Sequence, residues 1–275
     1  MNPQAARIFS LAPAIAGTLA IAASPVGAAT LARSESFLEF DKFSHRAISG
    51  EVLLNTDSFV VKGDRASEVT AFSDATGLFI NDPSSEQYIA NFTRNLATGS
   101  GRHYFGIGES SAKIIGDFSI LDDRPFSFNF NGFLFLETNV DSPRQEAARA
   151  GGDLSFFLID LNDDLVLDRF DLSGYLSSRS DDDFLSFTLT DGVVVDRSEN
   201  ITSLEVNRQQ AIATLNGSWQ RSFDQPTNLR LVELKRTYAE VSVPEPSFCF
   251  GLLLFGSWAG LNWKRRSRDR SAEWE

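Results

Sequence analysis

The sequence predicts an all-β protein that folds as an antiparallel β-sandwich or a jelly roll. Apolar and polar residues alternate in segments such as 126–130, which reads Phe-Ser-Phe-Asn-Phe. An alternation with a period of two places one set of side chains on the buried face of a sheet. Many such short segments are separated by turn residues, and helical periodicity is scarce. This combination is typical of sandwiches and jelly rolls.

The strands are predicted from short apolar or alternating segments that are bounded by turn residues. Asp191-Gly192 lies between two apolar segments and predicts a tight β-hairpin, while Asn131-Gly132 and Asn216-Gly217 predict further turns. In chain order, the predicted strands cover residues 37–43, 50–54, 58–62, 68–72, 88–92, 103–107, 113–121, 126–130, 133–138, 154–160, 165–172, 184–190, 193–196, 201–206, 211–215 and 229–241.

One short helix is predicted over residues 142–150, which read SPRQEAARA. Pro143 suits the first turn of a helix, because its missing N–H would have no partner there. Gly151-Gly152 follows the segment and would end the helix.

Phenylalanine is expected to fill the core, since the chain has 24 Phe and only 4 Tyr. A buried Phe ring needs no hydrogen-bond partner. The single cysteine, Cys249, lies near the C-terminus, so the body of the protein must be held together by its core and not by disulfides. The same fact excludes catalytic thiols, cysteine-type zinc sites and iron–sulfur clusters from the body.

The N-terminus has the features of a secretory signal peptide, residues 1–28. Arg7 is a positive residue ahead of the apolar, Ala-rich segment 8–23, and Val26-Gly27-Ala28 offers small residues for cleavage. We therefore expect export through the Sec machinery and a mature chain that begins near residue 29.

The C-terminal segment, residues 243–275, has three parts. It begins with Val243-Pro244-Glu245-Pro246, in which the two prolines break regular structure. Residues 247–263 follow without a charge and predict a single transmembrane helix of about 26 Å. Next comes a basic cluster expected on the cytoplasmic side of the membrane, formed by Lys264, Arg265, Arg266 and Arg268.

This tripartite tail resembles the PEP-CTERM sorting signal of exported proteins from Gram-negative bacteria and cyanobacteria. The resemblance rests on Pro244-Glu245-Pro246 placed directly before the apolar segment and the basic cluster. It covers residues 243 to about 268 and none of the body, which resembles no family. It implies recognition by an exosortase, a membrane protease-transpeptidase, and removal of the tail near the motif.

The body, a single domain over residues 29–242, is strongly acidic. Residues 29–246 contain 19 Lys and Arg against 34 Asp and Glu, which gives a net charge of −15. Such a charge argues against nucleic acid and anionic membranes as partners. It suits solubility outside the cell or the binding of cations.

A calcium site is the most specific ligand pattern in the body. In the segment 160–171, oxygen-bearing side chains occupy positions 1, 3, 5, 9 and 12 of an EF-hand loop. The segment is similar to a dockerin-type loop, although Leu165 stands where the turn glycine belongs. The sequence favours a β-hairpin that turns at Asn162-Asp163-Asp164, and calcium binding is the alternative interpretation. The candidate ligands are Asp160, Asn162, Asp164, Asp168 and Asp171.

The sequence shows no catalytic motif. His45 and His103 lack metal-site spacing, and no G-x-S-x-G motif is present. We therefore expect a non-catalytic, structural or adhesive protein of the cell surface or extracellular polysaccharide matrix, with a capacity to bind glycan. The alternatives are a polysaccharide-active enzyme, with two carboxylates across a groove, and a calcium-dependent carbohydrate-binding module.

Overall fold

A computed structural model describes residues 30–121, 124–205 and 207–243, and this part of the chain folds into β-strands without a helix. The all-β class is therefore confirmed. The strands are β1 (Thr30–Asp41), β2 (Ala47–Lys62), β3 (Glu68–Ile80), β4 (Tyr88–Ser100), β5 (Tyr104–Ile120), β6 (Phe126–Val140), β7 (Ala147–Asp160), β8 (Leu165–Ser177), β9 (Phe184–Leu189), β10 (Val193–Glu205), β11 (Arg208–Arg221) and β12 (Thr227–Val243).

The strands form two six-stranded antiparallel sheets, an arrangement consistent with a β-sandwich. Sheet 1 has the order β10-β11-β6-β1-β4-β3, and sheet 2 has the order β2-β5-β12-β7-β8-β9. The chain passes from one sheet to the other at seven of the eleven connections between these strands, two of which are β2 to β3 and β9 to β10. These two connections join edge strands, so they lie at opposite sides of the two sheets.

Several predicted turns and boundaries are wrong. Asn131-Gly132 lies inside β6 and Asn216-Gly217 lies inside β11, so the predicted strands on either side of Asn131-Gly132 are one long strand. Gly132 is needed there because a Cβ would come within 2.6 Å of the Phe37 carbonyl oxygen. Asp191-Gly192 does form a tight turn, closed by Val193 N donating to Thr190 O at 3.1 Å. This turn is not a hairpin, because β9 and β10 belong to different sheets.

The prediction of a helix over residues 142–150 is also wrong. Only a turn forms, with Gln145 N donating to Ser142 O at 2.9 Å, and β7 begins at Ala147. Ala148 and Ala150 are fully buried and pair with Val241 and Ala239 of β12. Pairing and burial in the sheet outweigh the helical preference of alanine, which is worth only a few tenths of a kcal/mol per residue.

The larger part of the core is a cluster of aromatic rings between the sheets, as the abundance of Phe predicted. Phe156 of sheet 2 lies 5.0 Å from Phe130 and 5.5 Å from Phe40 of sheet 1, measured between ring centroids. The fully buried rings are Phe40, Phe118, Phe126, Phe128, Phe130, Phe156, Phe170 and Trp219. These contacts hold the two sheets together.

A smaller apolar cluster of mostly small side chains lies elsewhere in the interior. It consists of Ala32, Val69, Ala97, Tyr104, Val140, Ala148, Ala239 and Val241. In β1, β4 and β12, buried polar side chains separate the residues of this cluster from those of the aromatic cluster. We call this group the polar centre, and it comprises Ser34, Ser36, Asn91, Thr93, Asn95, Ser110, Glu233, Lys235 and Thr237.

Hydrogen bonds connect the polar centre across the two sheets. Thr237 of β12 accepts from Asn95 Nδ2 at 2.8 Å and donates to Thr93 Oγ1 at 3.0 Å. Thr93 in turn lies 2.8 Å from the hydroxyl of Ser36. These bonds lower the cost of burying hydroxyl and amide groups between two apolar clusters.

Two predicted segments lie outside the described residues. They are the signal peptide, residues 1–28, and the tail beyond Val243 with its transmembrane helix. Among the residues that the structure does describe, no helix has the length and apolar character needed to cross a membrane.

Replacing a central ring should test the role of the aromatic cluster. Phe156→Ala is expected to lower the free energy of unfolding by about 3–5 kcal/mol, because Phe156 is fully buried and its loss leaves a cavity. Urea denaturation of the variant and the wild type measures the difference. The matched control is Phe72→Ala, whose ring is 50% exposed on β3 and whose removal should cost about 0.5 kcal/mol. Equal losses of unfolding free energy in the two variants would contradict the role of the aromatic cluster in holding the sheets together.

Candidate functional site

The segment predicted to bind calcium forms the turn between β7 and β8. Asp160 is the last residue of β7, and its Oδ1 accepts a hydrogen bond from Asn162 N at 2.8 Å. Asp164 has a φ of 52°, a left-handed conformation that Asp tolerates better than most residues. Leu165 then begins β8, which pairs with β7. The segment therefore forms the β-hairpin that the sequence favours.

Asp168 points into the protein and is only 5% exposed. Its carboxylate accepts hydrogen bonds from Trp219 Nε1 at 2.8 Å, Thr190 Oγ1 at 2.6 Å and Gly192 N at 3.2 Å. It therefore holds the turn between β9 and β10 against β11. Trp219, the one tryptophan of the body, is buried in the core and has this polar partner, so its ring is not available for stacking on a sugar.

The remaining candidate ligand, Asp171, forms an ion pair with Arg169 on the same strand. Asp160 and Asn162 lie in the turn, whereas the partners of Asp168 lie in the β9–β10 turn and on β11. Over 30–121, 124–205 and 207–243, the structure has no group of three or more His, Cys, Asp or Glu side chains that could hold a metal ion. Calcium binding at this loop stays a prediction from the sequence pattern.

A groove with a volume of about 420 Å³ lies on sheet 2, a size within the usual range for ligand sites. It is formed by the four neighbouring strands β5, β12, β7 and β8. Its lining combines aromatic rings with charged groups: Ile107, Glu109, Arg149, Asp153, Tyr175, Arg236, Tyr238 and Glu240.

The centre of the groove is one row of paired residues. Tyr238 of β12 pairs with Glu109 on one side and with Gly151 on the other. Gly151 pairs with Tyr175 of β8, which pairs with Phe184 of β9. Paired residues project on the same face of a sheet, so these side chains stand in one line across the strands.

Gly151, which pairs with both tyrosines, has no side chain and so leaves room for an aromatic ring. A Cβ at this position would come within 2.7 Å of Tyr238 Cζ, so the Tyr238 ring lies over the backbone of Gly151. On the other side, the ring of Tyr175 stacks on that of Phe184, with centroids 6.3 Å apart and an interplanar angle of 29°. The Tyr238 ring thus occupies the space above Gly151, and Tyr175 stands next to it in the same row.

Ion pairs flank the tyrosines. Arg149 Nη1 lies 3.1 Å from Glu240 Oε1, and Arg236 Nη2 lies 3.3 Å from Glu109 Oε2. The Arg236 and Glu109 side chains are 64% and 41% exposed, whereas that of Glu240 is only 17% exposed. The groove thus offers guanidinium donors and carboxylate acceptors beside apolar ring surface.

Burial changes the protonation of two groups in the groove. It raises the pKa of Tyr238 to about 12, so the phenol stays neutral and can both donate and accept a hydrogen bond. Burial also raises the pKa of Glu240, although Arg149 acts in the opposite direction. Glu240 therefore takes up a proton more readily than an ordinary glutamate does.

Of the predicted sorting signal, only Val243 lies within the described residues, and it is the last residue of β12. The remaining sorting residues lie outside them: Pro244, Glu245, Pro246, Lys264, Arg265, Arg266 and Arg268. The strand that carries Tyr238 and Glu240 therefore leads directly into the predicted tail.

The chain matches no known protein family, and no curated protein matches its sequence. The groove is therefore assigned as the candidate site from its geometry alone.

Sequence reasoning missed the groove. It predicted a strand over 229–241, but it could not identify the neighbours of that strand, and the groove residues come from four distant segments. One signal was present: Tyr is scarce in this chain, and segment 236–240 alternates Arg, Tyr and Glu with small residues. This pattern places Arg236, Tyr238 and Glu240 on one face.

The buried carboxylate of Asp168 should stabilise the fold. Asp168→Ala is expected to lower the free energy of unfolding by about 1–3 kcal/mol, because it leaves the buried Trp219 N–H without an acceptor. Urea denaturation measures the loss. Asp171→Ala, three residues along the same strand, removes an ion pair whose arginine is 53% exposed and should cost less than about 1 kcal/mol. A larger loss in Asp171→Ala than in Asp168→Ala would contradict this ranking.

Proposed function

We propose that this protein is an exported, non-catalytic component of the cell surface or extracellular matrix that binds neutral polysaccharide through the groove on sheet 2. The observation that carries the proposal is the pair Tyr175 and Tyr238 on either side of Gly151. Sugar rings have apolar faces that pack on aromatic side chains and hydroxyl groups that need hydrogen-bond partners. The groove supplies both.

The charges of the groove favour a neutral ligand. Its two arginines each pair with a glutamate, so neither guanidinium is left to attract an anion. Paired guanidinium and carboxylate groups still have free donor and acceptor positions for sugar hydroxyls. The net charge of −15 over residues 29–246 also repels acidic polysaccharides.

The carboxylates favour binding over hydrolysis. A glycoside hydrolase needs one carboxyl group that donates a proton and a second that acts as base or nucleophile. Two of the three carboxylates that line the groove, Glu109 and Glu240, are instead engaged with arginines, and the third is Asp153. We therefore assign them to hydrogen bonding with the ligand.

Calcium is not required in this proposal. The predicted calcium segment begins at Asp160, at the opposite end of β7 from Arg149 and Gly151. Gly151 and Asp160 are nine positions apart on β7, a distance of about 30 Å along the strand. No residue of that loop lines the groove.

The proposed route to the cell surface uses both ends of the chain. The signal peptide, residues 1–28, directs export by the Sec machinery. The segment 243–275 holds the chain in the inner membrane until an exosortase-type enzyme processes it near Pro244-Glu245-Pro246. The body, residues 29–242, then reaches the envelope, the cell surface or the polysaccharide matrix. This route rests on the sequence and on the family resemblance of the tail.

Polysaccharide binding can be measured by electrophoresis in native gels that contain laminarin, xylan, galactomannan or alginate. We expect at least one of the neutral polysaccharides to retard the protein and alginate to have no effect. Tyr238→Ala and Tyr175→Ala should weaken binding about tenfold or more, which corresponds to about 1.4 kcal/mol. Phe72→Ala, which removes an exposed ring from sheet 1, is the matched control and should bind normally.

Absence of retardation by every neutral polysaccharide, or normal binding by both tyrosine variants, would overturn the proposed function. Binding should be unchanged in EDTA, and a loss there would favour the calcium-dependent alternative. Release of reducing sugar, abolished by Glu240→Gln, would identify a hydrolase instead.

The sorting motif should control processing of the tail. In a Gram-negative host with an exosortase, the wild-type chain is expected to be shortened at its C-terminus and to leave the inner membrane. A chain with Pro244→Ala, Glu245→Ala and Pro246→Ala should keep its tail and remain in the inner-membrane fraction. Immunoblots of cell fractions distinguish the two forms, with Ser242→Ala as the control. Identical processing of all three chains would contradict the assignment of Pro244-Glu245-Pro246 as the sorting motif.

A further inference from the structure

Three ionisable or amide side chains meet in the polar centre between the two sheets. Glu233 and Lys235 project inward from β12 of sheet 2, and Asn91 projects inward from β4 of sheet 1. Their exposed fractions are 1%, 3% and 3%, respectively. A charged residue is almost never buried to this extent without a specific partner.

The three side chains are arranged around the amide group of Asn91. Lys235 Nζ donates to Asn91 Oδ1 and also to the backbone oxygen of Asn91, the latter at 3.1 Å. Asn91 Nδ2 donates to Glu233 Oε2. The second carboxyl oxygen, Glu233 Oε1, lies 3.8 Å from Lys235 Nζ and has no hydrogen-bond partner. One carboxyl group therefore faces both the amine and the amide nitrogen.

The neighbours of these residues are apolar. In sheet 2, Glu233 pairs with Ile114 and Phe156, and Lys235 pairs with Ala112 and Leu154. In such surroundings a carboxylate and an ammonium are both costly. Burial raises the pKa of Glu233 and lowers that of Lys235, so both shifts favour the uncharged amine and carboxylic acid.

We propose that Lys235 and Asn91 become joined by an intramolecular amide bond between their side chains, and that Glu233 carries the protons of this reaction. The bond would form after the two sheets pack together, because only the folded chain brings β4 and β12 face to face. It would be an isopeptide cross-link through the interior of the protein.

The reaction balances without any co-reactant. Uncharged Lys235 Nζ attacks Asn91 Cγ, and the carbonyl electron pair moves onto Oδ1. Glu233 takes a proton from Nζ on its Oε1 side and delivers one to Nδ2 on its Oε2 side. The Cγ–Nδ2 bond breaks, ammonia leaves, and the carbonyl re-forms as the new amide. Glu233 ends in its starting protonation state, and no atom is oxidised or reduced.

The geometry favours this reaction over a permanent ion pair. The nucleophile, the electrophile and the proton carrier are all held by strands of a packed core, the condition under which positioning accelerates a reaction most. Burial also keeps away the water that would hydrolyse an intermediate. The new bond would connect the two sheets through residues 144 apart in sequence, in a body that has no cysteine for a disulfide.

Mass spectrometry of the wild-type protein tests the cross-link directly. The full-length chain is expressed in a bacterial host, purified in folded form and digested with trypsin. The expected product joins the peptide containing Asn91 to the one containing Lys235, with a mass one ammonia below their sum. An acylated Lys235 should also resist cleavage by trypsin. Recovery of the two peptides only in linear form, from protein with a folded circular dichroism spectrum, would overturn the proposal.

Variants test the role of each group. Glu233→Gln cannot accept a proton and should yield only linear peptides, whereas a wild-type level of cross-link in this variant would remove Glu233 from the mechanism. Lys235→Met should abolish the product. Lys113→Met, on the neighbouring strand β5, is the matched control and should keep it. If a core variant fails to fold, the wild-type digest still decides the proposal.

Discussion

The packing of phenylalanine rings between the two sheets is the interaction on which the rest of this structure depends. Without cysteine in the body, hydrophobic contact must hold the sheets together. Each buried aromatic ring removes about 150–250 Å² from water, which stabilises the fold by several kcal/mol. Facing sheets pack about 10 Å apart. This spacing lets Asn91 of one sheet contact Glu233 and Lys235 of the other.

Strand β12 connects the interior of the protein with its outer surface. It lies near the middle of sheet 2, between β5 and β7, and its side chains alternate between the two faces. Glu233 and Lys235 point inward to the polar centre, while Arg236 and Tyr238 line the groove. A cross-link on the inner face would fix β12 against sheet 1 and so hold the groove in shape. The same strand ends where the predicted sorting signal begins, at Val243.

The all-β class and the aromatic core could be predicted from the sequence because both follow from local alternation and composition. The boundaries of the strands could not be predicted, because Asn-Gly forms a turn only where strand pairing and packing do not favour a continuous strand. At Asn131-Gly132 the missing side chain serves close packing against the Phe37 carbonyl, and the strand continues. The alanines of segment 147–150 favour a helix when only the local sequence is considered. In the folded protein they form a strand, because they pair with β12. The candidate ligand Asp168 instead accepts a bond from Trp219, a partner 51 residues away.

The sequence by itself determined the class of the fold, the absence of disulfides in the body and the composition of the core. These properties depend on residue type and short-range periodicity, which a single chain displays directly. It also supplied the proposed route of export, since such signals are linear. Only the tertiary structure decided which strands are neighbours, and hence that Tyr175 and Tyr238 flank Gly151 and that Asn91 meets Lys235. Both arrangements join residues distant in sequence, and their placement depends on how the sheets pair and pack.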